Sequence, residues 1–110
     1  MKYDLHITKS TEIDLIRAAD YIEYNLFYPQ AANDLLDKAE KAISKLSEMP
    51  QIHQLVEDPV LKSWGIRFVL VDDCMAFFKI NEENKTVYFV RFLYGKRNWL
   101  EILKNEPIKT

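Results

Sequence analysis

The stretch that most constrains the fold is Thr86–Tyr94, read TVYFVRFLY. Arg91 is the only charge in this apolar and aromatic run. Turn residues bound it, Asn81-Glu82-Glu83-Asn84 before and Gly95 after. A run of this length, rich in Val, Phe and Tyr, reads as a strand buried on both faces. Such a strand needs a pairing neighbour and apolar cover, so the rest of the chain must supply both. Gly95-Lys96-Arg97 follows as a basic turn. Asn98 with Glu101 three residues on has the form of a capping box, which predicts a short C-terminal helix.

Upstream, residues 2–8 (KYDLHIT) alternate Tyr3, Leu5 and Ile7 against polar residues, the pattern of a half-buried strand. Ser10 or Thr11 is placed to cap a helix running to about Phe27. Its expected core stripe is Ile13, Ile16, Ala19, Ile22 and Leu26, widened by Leu15 and Ala18. Pro29 suits the first turn of a second helix, ended by Met49-Pro50. Ala32, Leu35, Leu36, Ala39, Ile43 and Leu46 form its expected core face. The short connection predicts an antiparallel helix hairpin. Residues 51–63 show weak periodicity and contain Asp58-Pro59, and are read as a loop. Residues 64–71 and 74–80 read as strands joined by the turn Asp72-Asp73. With Thr86–Tyr94 they make a three-strand meander. The expected fold is therefore α+β, in the order β-α-α-β-β-β with a short C-terminal helix. An antiparallel sheet carries the helix hairpin on one face, and its other face is open or shallowly covered.

A chain of 110 residues suits one domain spanning 1–110, with enough hydrophobic residues for one core. Two glycines and four prolines leave little room for low-complexity segments. No apolar run is long enough for a bilayer and no signal-peptide core is visible, so a cytoplasmic protein is expected. The single Cys74 has no internal disulfide partner, in keeping with a reducing compartment. A formal net charge of −2 argues against broad nucleic-acid binding, which needs clustered bases. No Gly-rich phosphate loop or metal-ligand spacing occurs, so no metal and no cofactor is expected.

The candidate functional groups are those left on the meander and the hairpin tip. Arg67 interrupts one apolar strand and Arg91 another. Each is costly to bury unless paired, so each is either a structural ion pair or a binding group. Alternation puts Arg91 on a face with Phe89 and Leu93, opposite Tyr88, Phe92 and Tyr94. Lys79 and Tyr94 are further candidates on the meander, and Lys96 and Arg97 follow Gly95 at a strand end where backbone and side chains would converge on an anion. Solvated turn residues are the plainer account of the two bases. Tyr21, Tyr24, Phe27 and Tyr28 cluster near the hairpin tip, to pack on the sheet or to bind a partner. His6, His53 and Glu57 read as surface or loop residues.

Taken together, IDLIRAADYIEYNL, PQAANDLL, Gly65-x-Arg67 and VYFVRFLYGKRNWLEIL resemble the RelE/ParE toxin superfamily over nearly the whole chain. In the last stretch Asn98 stands where relatives commonly carry Asp. The resemblance implies a toxin of a bacterial type II toxin–antitoxin pair, neutralised by a cognate antitoxin. It also allows a homodimer when the antitoxin is absent. RelE-like members cut mRNA on the ribosome, whereas ParE-like members poison DNA gyrase. In a ribonuclease, Arg97, Arg67 and Lys96 would stabilise phosphate charge and Tyr94 would serve as acid or base. Met75 and Leu103, however, stand approximately where RelE-like members carry an arginine and a C-terminal tyrosine. Cleavage by a 2′-hydroxyl needs a base, an acid and charge stabilisation. The expected activity is therefore ParE-like protein binding, with Arg91, Lys96, Arg97, Tyr24, Phe27 and Tyr28 as binding residues. An RNA endonuclease and an inactive member that only binds antitoxin are the alternatives.

Overall fold

The computed structural model describes residues 2–25, 29–95 and 98–105. It comprises β1 (Asp4–Ile7), α1 (Lys9–Asp20) running into a π-helical turn (Tyr21–Asn25), and α2 (Pro29–Lys45). A 3₁₀ turn (Pro50–Ile52), α3 (Pro59–Ser63), β2 (Arg67–Val71), β3 (Cys74–Asn81), β4 (Thr86–Tyr94) and α4 (Trp99–Asn105) follow. The sheet order is β1-β4-β3-β2. The apolar run Thr86–Tyr94 is thus a central strand, as its composition requires. The class is α+β, but the sheet is mixed rather than purely antiparallel. The meander pairs antiparallel, while β1 pairs parallel with β4, Asp4 opposite Thr86 through Ile7 opposite Phe89. Alternating polarity places a strand in a sheet without giving its direction; the long crossover from β1 back to β4 allows the parallel pairing.

A bulge re-aims β4. Phe78 lies opposite Phe89 but Phe77 lies opposite Arg91, so Val90 is an extra residue. Strict alternation would send Phe89 and Phe92 to opposite faces. With the bulge both enter the helix-side core with Ala18, Ile22, Leu35, Ala39, Ile43 and Phe78. Val90 and Leu93 enter a second core with Val56, Leu61, Ile66, Phe77 and Leu103. The expected grouping of Phe89 with Leu93 is corrected accordingly. The face expected to be open or shallowly covered is not open. It is covered by α3 and α4, with Trp99 tilted over Phe77 at 5.4 Å between ring centroids and Lys104 paired to Asp58 at 3.1 Å. Phe77, Phe78 and Phe89 are fully buried, each contributing roughly 1.5–3 kcal/mol of transfer free energy.

The loop expected over 51–63 contains helix α3. Asp58 is its N-cap, accepting from the Val60 and Leu61 amides at 3.1 Å, and Pro59 occupies the first turn. The helix closes in a Schellman motif: Ile66 N–H donates to Leu61 C=O at 3.1 Å and Gly65 N–H to Lys62 C=O at 3.0 Å. Gly65 takes φ +78°, and the apolar pair Leu61–Ile66 is fully buried. The strand expected from Trp64 therefore starts at Arg67.

Helix α1 starts earlier and faces differently than its apolar spacing suggests. The N-cap is Thr8, not Ser10 or Thr11. Thr11, Asp14 and Ala18 are buried, whereas Ile13 and Ile16 are 39% and 60% exposed. The cause is the edge of β4. Strand β1 stops opposite Phe89, leaving the following backbone groups of β4 without a strand neighbour on that side. Helix α1 closes this gap with polar groups at three-residue spacing. The Thr8 and Thr11 hydroxyls both donate to Phe89 C=O, at 2.7 and 2.8 Å, and Asp14 Oδ2 accepts from Phe92 N–H at 3.0 Å. On α2, Leu35, Ala39, Ile43 and Leu46 are buried as expected, but Leu36 is 39% exposed.

Candidate functional site

Among the groups singled out in the sequence, Phe27, Tyr28, Lys96 and Arg97 lie outside the described residues. Arg91 lies against α1. Its Nε donates to Asp14 Oδ2 at 2.6 Å and its Nη2 to Asp14 Oδ1 at 2.8 Å, a bidentate pair with Asp14 almost fully buried. Arg67 caps backbone instead: its Nη1 donates to the carbonyls of His53 at 2.6 Å and Gln51 at 3.3 Å, pinning the loop before α3 to the start of β2. His53 packs edge-on to Phe78, and burial, then the Arg67 charge, push its pKa down. Cys74 is fully buried, and burial, then Asp73 and Asp72, push its thiol up to about 12. It is a neutral core thiol rather than a nucleophile.

The sheet register separates Arg67 from Tyr94. Arg67 is opposite Phe78, whose partner is Phe89; Tyr94 is opposite Cys74, whose partner is Val71. The two residues therefore sit at opposite ends of the meander, on its first and third strands, with Cα atoms roughly 16 Å apart from the ordinary rise and strand spacing. They are not brought together. Tyr94 instead faces Tyr21 of the π-turn, with ring centroids 5.3 Å apart. Burial raises the Tyr94 pKa, and Asp73, Tyr21 and Cys74 push it the same way. These neighbours keep the phenol protonated, which suits a hydrogen-bond donor better than a base.

Tyr21 and Tyr94 form one wall of a cleft of about 460 Å³ at the end of β4, with Arg17, Ala18, Phe92 and Gly95. The cleft is mostly apolar, with Asp14 and Arg17 as its charged lining residues. Around the corner of α1, Tyr24 is 67% exposed and Ile13, Ile16 and Leu36 are exposed too. Sequence reasoning missed Asp14, and placed Ile13, Ile16 and Leu36 in the core. The signal for Asp14 is present in Thr8-x-x-Thr11-x-x-Asp14, which sets three hydrogen-bonding groups along one helix face. Among the described residues no cluster of three or more His, Cys, Asp or Glu could hold a metal ion, and no helix is long and apolar enough to cross a membrane.

A family model described as the ParE toxin of the type II toxin–antitoxin system, parDE, matches residues 5–99. No curated protein matches the chain. Among solved structures, the chain is similar to one from the chromosomal ParDE system of P. aeruginosa, with TM-score 0.68 and 17% identity over 86% of this chain and 98% of that one. It is also similar to one from the RelBE2 toxin–antitoxin complex of Mycobacterium tuberculosis, with TM-score 0.59 and 17% identity over 86% and 99% of the two chains. A free-state mutant of the E. coli toxin RelE has TM-score 0.59 and 13% identity over 96% and 95%. At these identities the likeness shows a shared fold.

Proposed function

The chain belongs to the family of ParE toxins of type II toxin–antitoxin systems, and from that premise we propose that it acts by binding a cellular protein and is held inactive by a cognate antitoxin. DNA gyrase is the first target to test. The observation that carries this reading is the separation of Arg67 from Tyr94 by the sheet register. A ribonuclease built on those two groups and the basic turn would need them around one phosphate, within hydrogen-bond reach of the reacting atoms. Here Arg67 holds loop carbonyls, and Tyr94 has acidic and phenolic neighbours. Leu103, standing approximately where RelE-like members carry a tyrosine, is fully buried in the second core, and Met75 packs against that core. Neither supplies a proton. The exposed Ile13, Ile16, Tyr21 and Tyr24 give a protein partner apolar and aromatic area, which is where association energy concentrates. Toxin–antitoxin assemblies among the similar structures support an antitoxin as one such partner.

The test is a supercoiling assay with purified protein and gyrase, run beside primer extension on cellular mRNA after induction. Inhibited supercoiling with intact mRNA is the expected outcome. Codon-phased cuts in mRNA would replace protein binding with ribosome-dependent cleavage.

A further inference from the structure

The cleft at the end of β4 has the size and the chemistry of a small-ligand site. Its volume of about 460 Å³ lies within the range of small-molecule pockets. Ala18 of α1 and Phe92 of β4, both almost fully buried, supply apolar floor. The rings of Tyr21 and Tyr94 stand at 49° to one another, and Tyr21 is 43% exposed, so aromatic surface faces the opening. Gly95 borders the cleft with nothing within 4 Å of the place a Cβ would take, which leaves that edge clear. The two charged lining residues differ in what they have left to offer. Asp14 has both oxygens engaged by Arg91 and the Phe92 amide, so with Arg91 it forms a neutral unit. Arg17, exposed on α1, has no side-chain ion pair or hydrogen bond among the described residues. Asp20, three residues on, lines a different depression with Ile16 and Glu23. The Tyr21 and Tyr94 hydroxyls are likewise without hydrogen-bond partners among the described residues.

We infer that this cleft binds a small planar aromatic molecule carrying one carboxylate, its ring against the Tyr21–Tyr94 wall and its carboxylate on Arg17. The walls select the ring. Two tilted phenols above an apolar floor give a flat aromatic both edge and offset contacts, which a saturated ring of the same size cannot match. The charge follows from Arg17, whose planar fork matches a carboxylate in two parallel hydrogen bonds. Orientation follows from Asp73. Its carbonyl accepts from Gly95 N–H at 2.9 Å, and its charge bears on Tyr94. An anionic group is therefore disfavoured at the Tyr94 end and favoured at the Arg17 end. Tyr94, kept protonated by burial and these neighbours, contributes its ring and a hydroxyl donor rather than a charge. A cationic ligand would find the same ring faces but would meet the Arg17 guanidinium.

The probe is 2-naphthoate, titrated into the full-length protein labelled with ¹⁵N and followed by amide chemical shifts. Three compounds accompany it: neutral 2-naphthalenemethanol, cationic 2-naphthylmethylammonium and the saturated anion cyclohexanecarboxylate. Naphthoate should saturate one site and move the amides of Ala18, Tyr21 and Gly95. The alcohol should bind roughly three- to fivefold more weakly, the worth of one exposed charge pair, and the other two more weakly still. Arg17→Gln should bring naphthoate down to the level of the alcohol and leave the alcohol unchanged. Tyr21→Ala should weaken both. Arg17 is exposed, so its replacement leaves the fold intact and keeps the test usable if Tyr21→Ala disturbs the helix end. Any of four results would overturn the assignment: no saturable binding of naphthoate, equal binding of naphthoate and the alcohol by the wild type, wild-type selectivity in Arg17→Gln, or shifts confined to residues outside the cleft. The titration reads binding of the small molecule alone, so a negative result leaves the toxin reading standing, and the gyrase assay does not bear on the cleft.

Discussion

Replacing Asp14 by Ala attacks the joint that fixes α1 to the central strand. The Asp14 side chain is 1% exposed and its Arg91 partner 14%, so both are largely removed from water. The carboxylate accepts from Arg91 Nε and Nη2, and from the Phe92 amide that no strand can pair. Removing it takes the bidentate carboxylate from a largely buried guanidinium and orphans a backbone N–H at once. Breaking a buried pair from one side costs about 3–5 kcal/mol, of which the orphaned amide accounts for about 1–3. Asp14→Asn keeps an acceptor for Phe92 N–H and loses the charge, so it should cost less than Asp14→Ala. A double substitution, Asp14→Ala with Arg91→Leu, removes both charges and should be markedly less damaging than the sum of the single ones. Urea denaturation followed by tryptophan fluorescence measures all of these, since Trp64 and Trp99 pack against the second core. A loss below about 1 kcal/mol for Asp14→Ala, or strict additivity in the cycle, would refute the view that this pair and the edge amide form one unit.

Two further perturbations follow from local geometry. Gly65 sits at φ +78° with nothing within 4 Å of the place a Cβ would take, so Gly65→Ala meets backbone strain alone and should lower stability by about 1–2 kcal/mol, with Gly65→Asn milder; unchanged urea midpoints would contradict the Schellman assignment. Cys74, with its thiol pushed up to about 12, should resist thiol-reactive dye at pH 8 in the native protein and react promptly in urea. The labelling rate should rise only as pH approaches the raised value or as the protein opens, and stoichiometric labelling of the native protein within minutes would show the thiol to be accessible.

The parts of this fold legible in the sequence are those where one physical requirement dominates. Thr86–Tyr94 can satisfy its apolar side chains only inside a sheet, and it is the central strand. Leu35, Ala39, Ile43 and Leu46 repeat at helical spacing with no competing demand, and all are buried. Legibility fails where two requirements compete. On α1 the aliphatic spacing argues for burying Ile13 and Ile16, but the unpaired edge of β4 needs hydroxyls and a carboxylate. The polar face wins because an unsatisfied buried amide costs more than an exposed isoleucine. The direction of β1 and the bulge at Val90 depend on pairings between distant segments, which periodicity does not encode. Asp58-Pro59 reads as a chain breaker, although the same two residues are also the signature of a capped helix start. At the site, Arg67 and Arg91 are recognisable from sequence as needing partners. That one takes loop carbonyls and the other Asp14 follows only from the register.

The central claim is that this family member arrests cells by binding a protein rather than by cutting RNA. It is tested most directly by inducing the chain alone, without antitoxin, and pulse-labelling DNA and protein synthesis in parallel. Thymidine incorporation should fall first while methionine incorporation continues, and co-expression of the cognate antitoxin should restore growth. An immediate fall in methionine incorporation, accompanied by codon-phased mRNA cleavage, would contradict the account.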